Sequence, residues 1–190
     1  KEDHVYATSW GVSTRLVGAV IMAHGDDQGL RLPPKIAPHQ VVVVPIARNE
    51  THVKLIKDFI EPITNGLKEN NVRVYEDWSD NSPGYKFNDW EMKGAPIRME
   101  VGPRDVENNQ VVLVRRDTSE KLTLEKGVLV NEVPNLLNAI QSGLFEQAKK
   151  FRDENTHSVN DYDEFKNMIS KGGFVRCGWD GSAKTETAVK

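Results

Sequence analysis

The sequence predicts an α/β layered fold, with a mixed, mostly parallel sheet flanked by helices. Three observations carry this prediction. Residues 41–46 read VVVVPI, a continuous β-branched run suited to a strand buried on both faces. Strand-like and helix-like patterns alternate over residues 40–155, as a layered sheet with helical crossovers requires. The stretches PIRMEVG (96–102) and QVVLVRRD (110–117) are joined by seven residues, whereas a parallel crossover needs about a dozen. These two strands must therefore be antiparallel, which makes the sheet mixed.

The elements follow in order. HVYATSW (4–10) reads as a strand ending at Gly11. Ser13 or Thr14 caps the next helix, whose Leu16, Val17, Val20, Ile21 and Ala23 recur at helical spacing. HGDDQG (24–29) stops that helix, and LPPKIAP (32–38) is a stiff connector. After the strand at 41–46, residues 49–71 form an amphipathic helix through Val53, Leu55, Ile56, Phe59, Ile60, Ile63 and Leu67. Asn49 or Thr51 caps it, Gly66 or Asn70–Asn71 closes it, and Pro62 is expected to kink it. VRVYED (72–77) is a second strand and WSDNSPGY a loop. KFNDWEMKG (86–94) is a short helix closed by Gly94. In 96–102, apolar Ile97, Met99 and Val101 alternate with Arg98 and Glu100, the pattern of a half-exposed strand. PRDVENN is turn-prone, and 110–117 is the next strand. A long helix covers about 128–154, with Val130, Val133, Leu137, Ile140, Leu144, Ala148 and Phe151 in register and Pro134 in its first turn. A shorter helix at about 160–170 holds Tyr162, Phe165 and Ile169, and GGFVRCGW (172–179) reads as a further strand. The tail DGSAKTETAVK closes no element, and no internal repeat is present.

The chain has 190 residues, more than one typical domain of about 150. Its apolar fraction of 38% and charged fraction of 28% are those of a soluble globular protein. A net charge of −3 argues against a general DNA coat. It leaves room for RNA recognition by a few placed groups. The single cysteine, Cys177, excludes a disulfide within the chain and fits a reducing compartment. There is no 18-residue apolar run and no signal-peptide core near the start, so the chain reads as cytoplasmic, with no membrane partner.

Several residues carry candidate chemistry. Arg15, at a strand–helix junction, offers a planar charged fork suited to phosphate or a purine face; the alternative is a surface arginine closing the turn. Gly11 lets backbone approach a ligand closely. Trp10 reads either as a wall of that site or as core packing. Asp26 and Asp27 suggest magnesium but read better as a turn, so no metal site is assigned. Cys177 lacks neighbouring ligands, and a structural zinc needs four. It reads as a buried apolar cysteine. Between 86 and 116, Phe87, Glu91, Arg98, Arg104 and the Arg115–Arg116 pair combine a ring, a carboxylate and guanidinium groups. These three chemistries recognise an unpaired base by stacking, by accepting from its pairing edge, and by donating to O6 and N7 of guanine. Phe87 and Glu91 are four apart on one helix and share a face. The same stretch holds six basic and five acidic side chains, so a merely solvated charged face is the competing reading.

TSWGVSTRLVGAVIMAHGDDQGLRLPPKIAPHQVVVVPI (8–46) resembles the third signature motif of class II aminoacyl-tRNA synthetases running into their anticodon-binding domain. SWGVSTR, HGDDQGLRLPP and KFNDWEMKGAPIRMEVGPRD resemble prolyl-tRNA synthetases of the archaeal and eukaryotic type, and the likeness extends through KKFRDENTHSVNDYDEFKNMI. The resemblance implies the last strand and helix of a class II catalytic domain with a linker (1–37), an anticodon-binding domain (38–155), and the start of a C-terminal domain (156–190), which in many members binds zinc. It implies that Arg15 contacts ATP and that Thr8, Ser9, Trp10 and Gly11 border ATP or prolyl-adenylate. It matches Phe87, Glu91 and Arg98 to anticodon readers, and Arg104, less firmly, to a basic position nearby; Arg115 or Arg116 is added from strand geometry.

The implied parent enzyme activates proline with ATP and Mg²⁺, transfers it to tRNA(Pro), and works as a homodimer. The first two class II motifs have no counterpart here, so this chain alone is not expected to be active. Two other readings stay open: a threonyl- or histidyl-type synthetase sharing the domain, and a non-catalytic tRNA-binding accessory protein.

Overall fold

The computed structural model describes residues 5–189. They fall into two compact units, one up to residue 144 and one from 145 onward. The first unit is built on five strands: β1 (Val41–Pro45), β2 (Val74–Glu76), β3 (Ile97–Val101), β4 (Gln110–Arg115) and β5 (Lys121–Glu125). Their spatial order is β2-β1-β3-β4-β5. β1 pairs in parallel with β2 and β3, while β4 is antiparallel to both β3 and β5. Four strands therefore run one way and β4 alone is reversed, the mixed, mostly parallel sheet the sequence predicts.

β1 is buried along its whole length because both faces of the sheet are covered there. Val41 and Val43 join the main core with Ile97, Met99, Val101, Val111 and Leu113. Val42 and Val44 face a smaller cluster on the other side. Over the first face lie α2 (Glu50–Glu69) and α5 (Leu129–Glu154). They contribute Ile56, Ile60, Ile63 and Leu67, and Leu129, Val133, Leu137, Ile140 and Leu144. Each such side chain stabilises the fold by about 1.5–3 kcal/mol on burial. Asn49 caps α2, its side chain accepting from the His52 amide at 2.8 Å. The helix continues unbroken past Pro62, which lies on its exposed side. Pro134 is the sixth residue of α5 rather than part of its first turn.

The second face carries α3 (Pro83–Met92), capped by Ser82 with proline at its first position. It begins three residues before the sequence-based start, because Ser-Pro is itself a helix N-terminus signal. α3 covers β1 but leaves β4 and β5 open. Glu100 and Arg98 on β3 are consequently not half-exposed. Glu100 is buried, and the two side chains are 12% and 13% exposed.

Elements that escaped the sequence reading include the short helix α4 (Pro103–Glu107), where only a turn was expected, and β5, whose two leucines give a weak alternation.

The expected strand at 4–10 is not formed over its described residues, 5–10. An extended segment gains backbone hydrogen bonds only from a neighbouring strand, and no described segment pairs with it. His4 lies outside the described residues. The helix after it forms as α1 (Arg15–His24), yet no residue of α1 is buried. The turn behind α1 is anchored. Leu30 and Leu32 donate backbone bonds to Met92 and Gly94 at the end of α3, at 3.0 and 3.2 Å.

In the second unit, β6 (Thr156–Ser158) pairs in parallel with β7 (Phe174–Arg176), and α6 (Tyr162–Lys171) and α7 (Ala183–Val189) accompany them. The tail expected to close no element forms α7. Cys177 is exposed rather than buried, lying just past the end of β7.

Candidate nucleic-acid interface

Register places one row of side chains across the second face. Tyr75 pairs with Val42, Val42 with Arg98, Arg98 with Val114, and Val114 with Lys121. α3 crosses the β1 end of this row. Where α3 stops, a cleft of about 250 Å³ opens, lined by Trp90, Glu91, Arg98, Arg115, Arg116 and Lys121.

Arg98 is held on three sides. Its Nε donates to Glu100 Oε1 at 3.0 Å, its Nη1 donates to the Phe87 carbonyl at 3.3 Å, and its guanidinium lies 4.6 Å from the Phe87 ring centroid. Phe87 is half-buried against Val42, Val44 and Ala95. It is therefore partly core and partly a platform under Arg98. Glu91, one turn further along α3, is half-buried, and its carboxylate has no partner among the described residues. Lys121 is exposed and likewise unpaired among them.

The other basic residues are committed differently. Arg115 Nε and Nη2 donate to Asp117 at 3.0 and 2.8 Å. Those bonds raise its pKa against the opposing effect of burial, with the Asp117 and Glu120 charges adding to the rise. Arg116 lines the cleft but acts as a strut: Nε donates to the Glu91 carbonyl at 3.0 Å, and both terminal nitrogens grip Asp26. Asp26 thus serves as an ion-pair partner in a turn.

Arg104 is not part of this cleft. It lies just past the opposite end of β3, in a separate pocket with Arg48 and His52. The five residues of β3 carry the chain about 16 Å, so Arg104 stands at the end of that strand remote from Arg98. Thr8, Ser9, Trp10, Gly11 and Arg15 are all exposed. Trp10 is 95% exposed, so it is not core, and a Cβ on Gly11 would meet nothing within 4 Å. The described residues supply no opposing wall there.

Trp90 was missed by sequence reasoning. Its indole donates to Asp77 Oδ2 at 2.7 Å, and its ring sits 5.2 Å from Tyr75 and 5.9 Å from His39. The signal was present: Trp90 follows Phe87 by three and precedes Glu91 by one, on neighbouring positions of the same helix face. Asp77 also receives the buried Lys86, whose Nζ donates to its carbonyl at 2.8 Å. Burial of Asp77 works to raise its pKa. Bonds from Ser79 and Trp90 and the Lys86 charge outweigh this and leave the group below its ordinary value.

Comparison with known proteins places this geometry. Residues 40–136 match the family described as "Anticodon binding domain". Along its whole length the chain is 48% identical to a proline–tRNA ligase of Bacteroides fragilis, of which it covers 38%. It is 49% identical over 99% of its length to the proline–tRNA ligase of Clostridium novyi, covering 39% of that protein. A crystal structure of prolyl-tRNA synthetase from Cryptosporidium parvum, complexed with L-proline and AMP, superposes with a TM-score of 0.85 at 36% identity, over 93% of this chain and 38% of the other. The chain thus spans under two fifths of the length of the relatives it matches. From residues 40 to 136, and by the mixed sheet those residues build, it belongs to the anticodon-binding domain family.

Proposed function

We propose that this chain is the anticodon-reading part of a proline–tRNA ligase, and that the cleft at the end of α3 holds a guanine of the tRNA(Pro) anticodon. One observation carries the reading. The unpartnered Glu91 carboxylate and the Arg98 guanidinium line a single cleft, with the Phe87 ring beneath Arg98. A carboxylate accepts from the N1–H and N2–H₂ of guanine, a guanidinium donates to its O6 and N7, and the ring–guanidinium stack gives a flat support. A net charge of −3 is compatible with this, because placed groups rather than bulk charge do the reading.

In the parent enzyme the proline carboxylate attacks the α-phosphorus of ATP, forming prolyl-adenylate and releasing pyrophosphate; a terminal hydroxyl of the tRNA 3′ end then takes the prolyl group and AMP leaves. We assign Arg15, with Thr8, Ser9, Trp10 and Gly11, to one wall of that ATP and prolyl-adenylate site, within a segment 1–37 that precedes the anticodon domain at 38–155 and the C-terminal segment at 156–190. The similarity to proline–tRNA ligases across the whole chain supports this assignment, and a cytoplasmic homodimer belongs to the same proposal. Among the described residues no cluster of three or more His, Cys, Asp or Glu could hold a metal ion. No described helix is long and apolar enough to cross a membrane.

The test is filter binding of tRNA(Pro) and of transcripts with unrelated anticodons to the wild-type chain and to Glu91→Ala. Loss of one bidentate base contact, about 1–3 kcal/mol, should weaken tRNA(Pro) binding roughly ten- to a hundredfold and leave the others unchanged. Equal weakening for every transcript removes the base-reading role.

A further inference from the structure

Glu91, the carboxylate assigned to base reading, stands on the last turn of α3, where a helix is least able to hold a side chain still. The final carbonyls of a helix have no partner within it, and the end turn frays unless other groups satisfy them. Here most of those groups come from distant parts of the chain. The Met92 and Gly94 carbonyls accept from the Leu30 and Leu32 amides at 3.0 and 3.2 Å. The Glu91 carbonyl accepts from the Gly94 amide at 3.0 Å and from Arg116 Nε, also at 3.0 Å. Of these donors Arg116 alone is a side chain, so it can be altered without touching the backbone.

Arg116 is itself firmly placed. It follows Val114 by two, so its side chain emerges on the same face of the sheet as Val114 and Arg98. Its own amide donates to the Pro96 carbonyl at 3.0 Å, which carries the pairing of β3 and β4 one residue further. While Nε holds Glu91, Nη1 and Nη2 donate to the two Asp26 carboxylate oxygens at 2.9 and 2.6 Å. A bidentate grip of this kind fixes the plane of the guanidinium. Asp26 opens the turn whose Gln28 also lines the cleft, so one guanidinium sets two walls of the cleft against each other. Arg116 is only 7% exposed, which suits it to hold other groups rather than to touch RNA.

We propose that Arg116 is a positioning residue for base reading: it holds the last turn of α3 so that the Glu91 carboxylate stays beside Arg98 in the cleft they both line. This rests on the reading of Glu91 as an anticodon contact. Recognition of a base edge needs its groups placed to within about 0.5 Å. Lysine cannot take over the task. Its single ammonium keeps the charge but cannot span the Glu91 carbonyl and both Asp26 oxygens in one plane.

The experiment measures filter binding of tRNA(Pro) and of a transcript with an unrelated anticodon, across a salt series. The proteins are the wild-type chain, Glu91→Ala, Arg116→Lys and the double variant, and the quantity read is the ratio of the two affinities. Arg116→Lys should lower that ratio about tenfold, a part of the discrimination that a bidentate contact supplies. Affinity for the unrelated transcript and the salt slope should stay as in wild type. In the double variant the ratio should fall no further than in Glu91→Ala, because both changes remove one contact. Losses that multiply, or equal weakening of both transcripts, overturn the positioning role. A salt slope shallower by about 0.7 also overturns it, since Arg116 would then bind a phosphate directly. Where circular dichroism shows Arg116→Lys unfolded, Asp26→Asn loosens the same guanidinium from the other side. It should lower the ratio less, again with no further loss beside Glu91→Ala, and an unchanged ratio overturns the role. A Glu91→Ala variant that keeps the wild-type ratio removes the anticodon reading and this inference with it. A loss in Glu91→Ala that Arg116→Lys does not share removes the positioning role alone.

Discussion

The Arg116 guanidinium grips the Asp26 carboxylate through two hydrogen bonds, of 2.9 and 2.6 Å, across ninety residues of sequence. Arg31 adds a weaker contact, 3.6 Å from the same carboxylate. This pair ties the turn behind α1 to the end of β4. It also sets one edge of the cleft at the end of α3, because Arg116 lines that cleft and binds the Glu91 carbonyl as well.

That pair makes a pH prediction. The hydrogen bond from Arg116 dominates in holding the Asp26 pKa down to about 2, from an ordinary 3.8. A group whose folded pKa is depressed stabilises the fold above its unfolded pKa and loses that contribution as pH falls through the folded value. Asp26→Asn should therefore be less stable than wild type above pH ~5, by about 1 kcal/mol, because Asp26 is exposed and solvent screens the pair. The gap should close between pH ~4 and ~2. Urea unfolding at a series of pH values checks this; a gap independent of pH would remove the ion pair as its source.

Arg98→Ala should behave differently from Glu91→Ala. Arg98 is the ion-pair partner of Glu100, whose side chain is 12% exposed. Removing one partner of such a buried pair costs about 3–5 kcal/mol, so Arg98→Ala should lower the melting temperature where Glu91→Ala does not. Adding Glu100→Gln should restore much of that loss without restoring tRNA(Pro) binding. Calorimetry with filter binding reads both effects.

The Asp77 hub predicts a core defect on the same face. Asp77→Ala removes the acceptor for Trp90 and the countercharge of Lys86, a side chain only 5% exposed. The expected loss is about 3–5 kcal/mol, accompanied by a change in tryptophan fluorescence as the indole loses its bond. Lys86→Met combined with Asp77→Ala should be less damaging than Asp77→Ala alone, because no unpaired charge then remains buried.

Gly29 and Gly94 fasten the turn to α3 by close backbone approach. Their φ angles are +128° and +73°. A Cβ at Gly29 would lie 2.6 Å from the Met92 backbone, and one at Gly94 would lie 2.6 Å from the Leu30 side chain and 2.7 Å from its backbone. Either alanine variant should destabilise by more than about 1 kcal/mol, whereas Gly84→Ala, with nothing within 4 Å, should not. Thermal unfolding of the three variants separates them.

Local patterns made much of the fold legible. The VVVVPI run marks a strand covered on both faces, and the spacing of Ile56, Ile60, Ile63 and Leu67 marks the buried side of α2. The short 96–117 connection fixes the antiparallel pair. β5 was illegible because a strand at the sheet edge needs few apolar residues, and its pattern has only Leu122 and Leu124 to show. The strand expected at 4–10 shows the reverse: over its described residues, 5–10, a good pattern has no neighbour to pair with among the described residues.

By itself the sequence determined the layered α/β class, the likeness to prolyl-tRNA synthetases, and the ring, carboxylate and guanidinium that suit guanine. Tertiary structure alone decided which of those groups meet. Strand register set Arg98 beside Val114 and Lys121 on one face, and helix α3 brought Phe87 and Glu91 over it. The length of β3 carried Arg104 to the far end, and Asp26 claimed Arg116 across ninety residues. The reason is physical: residue type and short-range spacing fix what a side chain can do, while pairing between distant segments fixes where it does it.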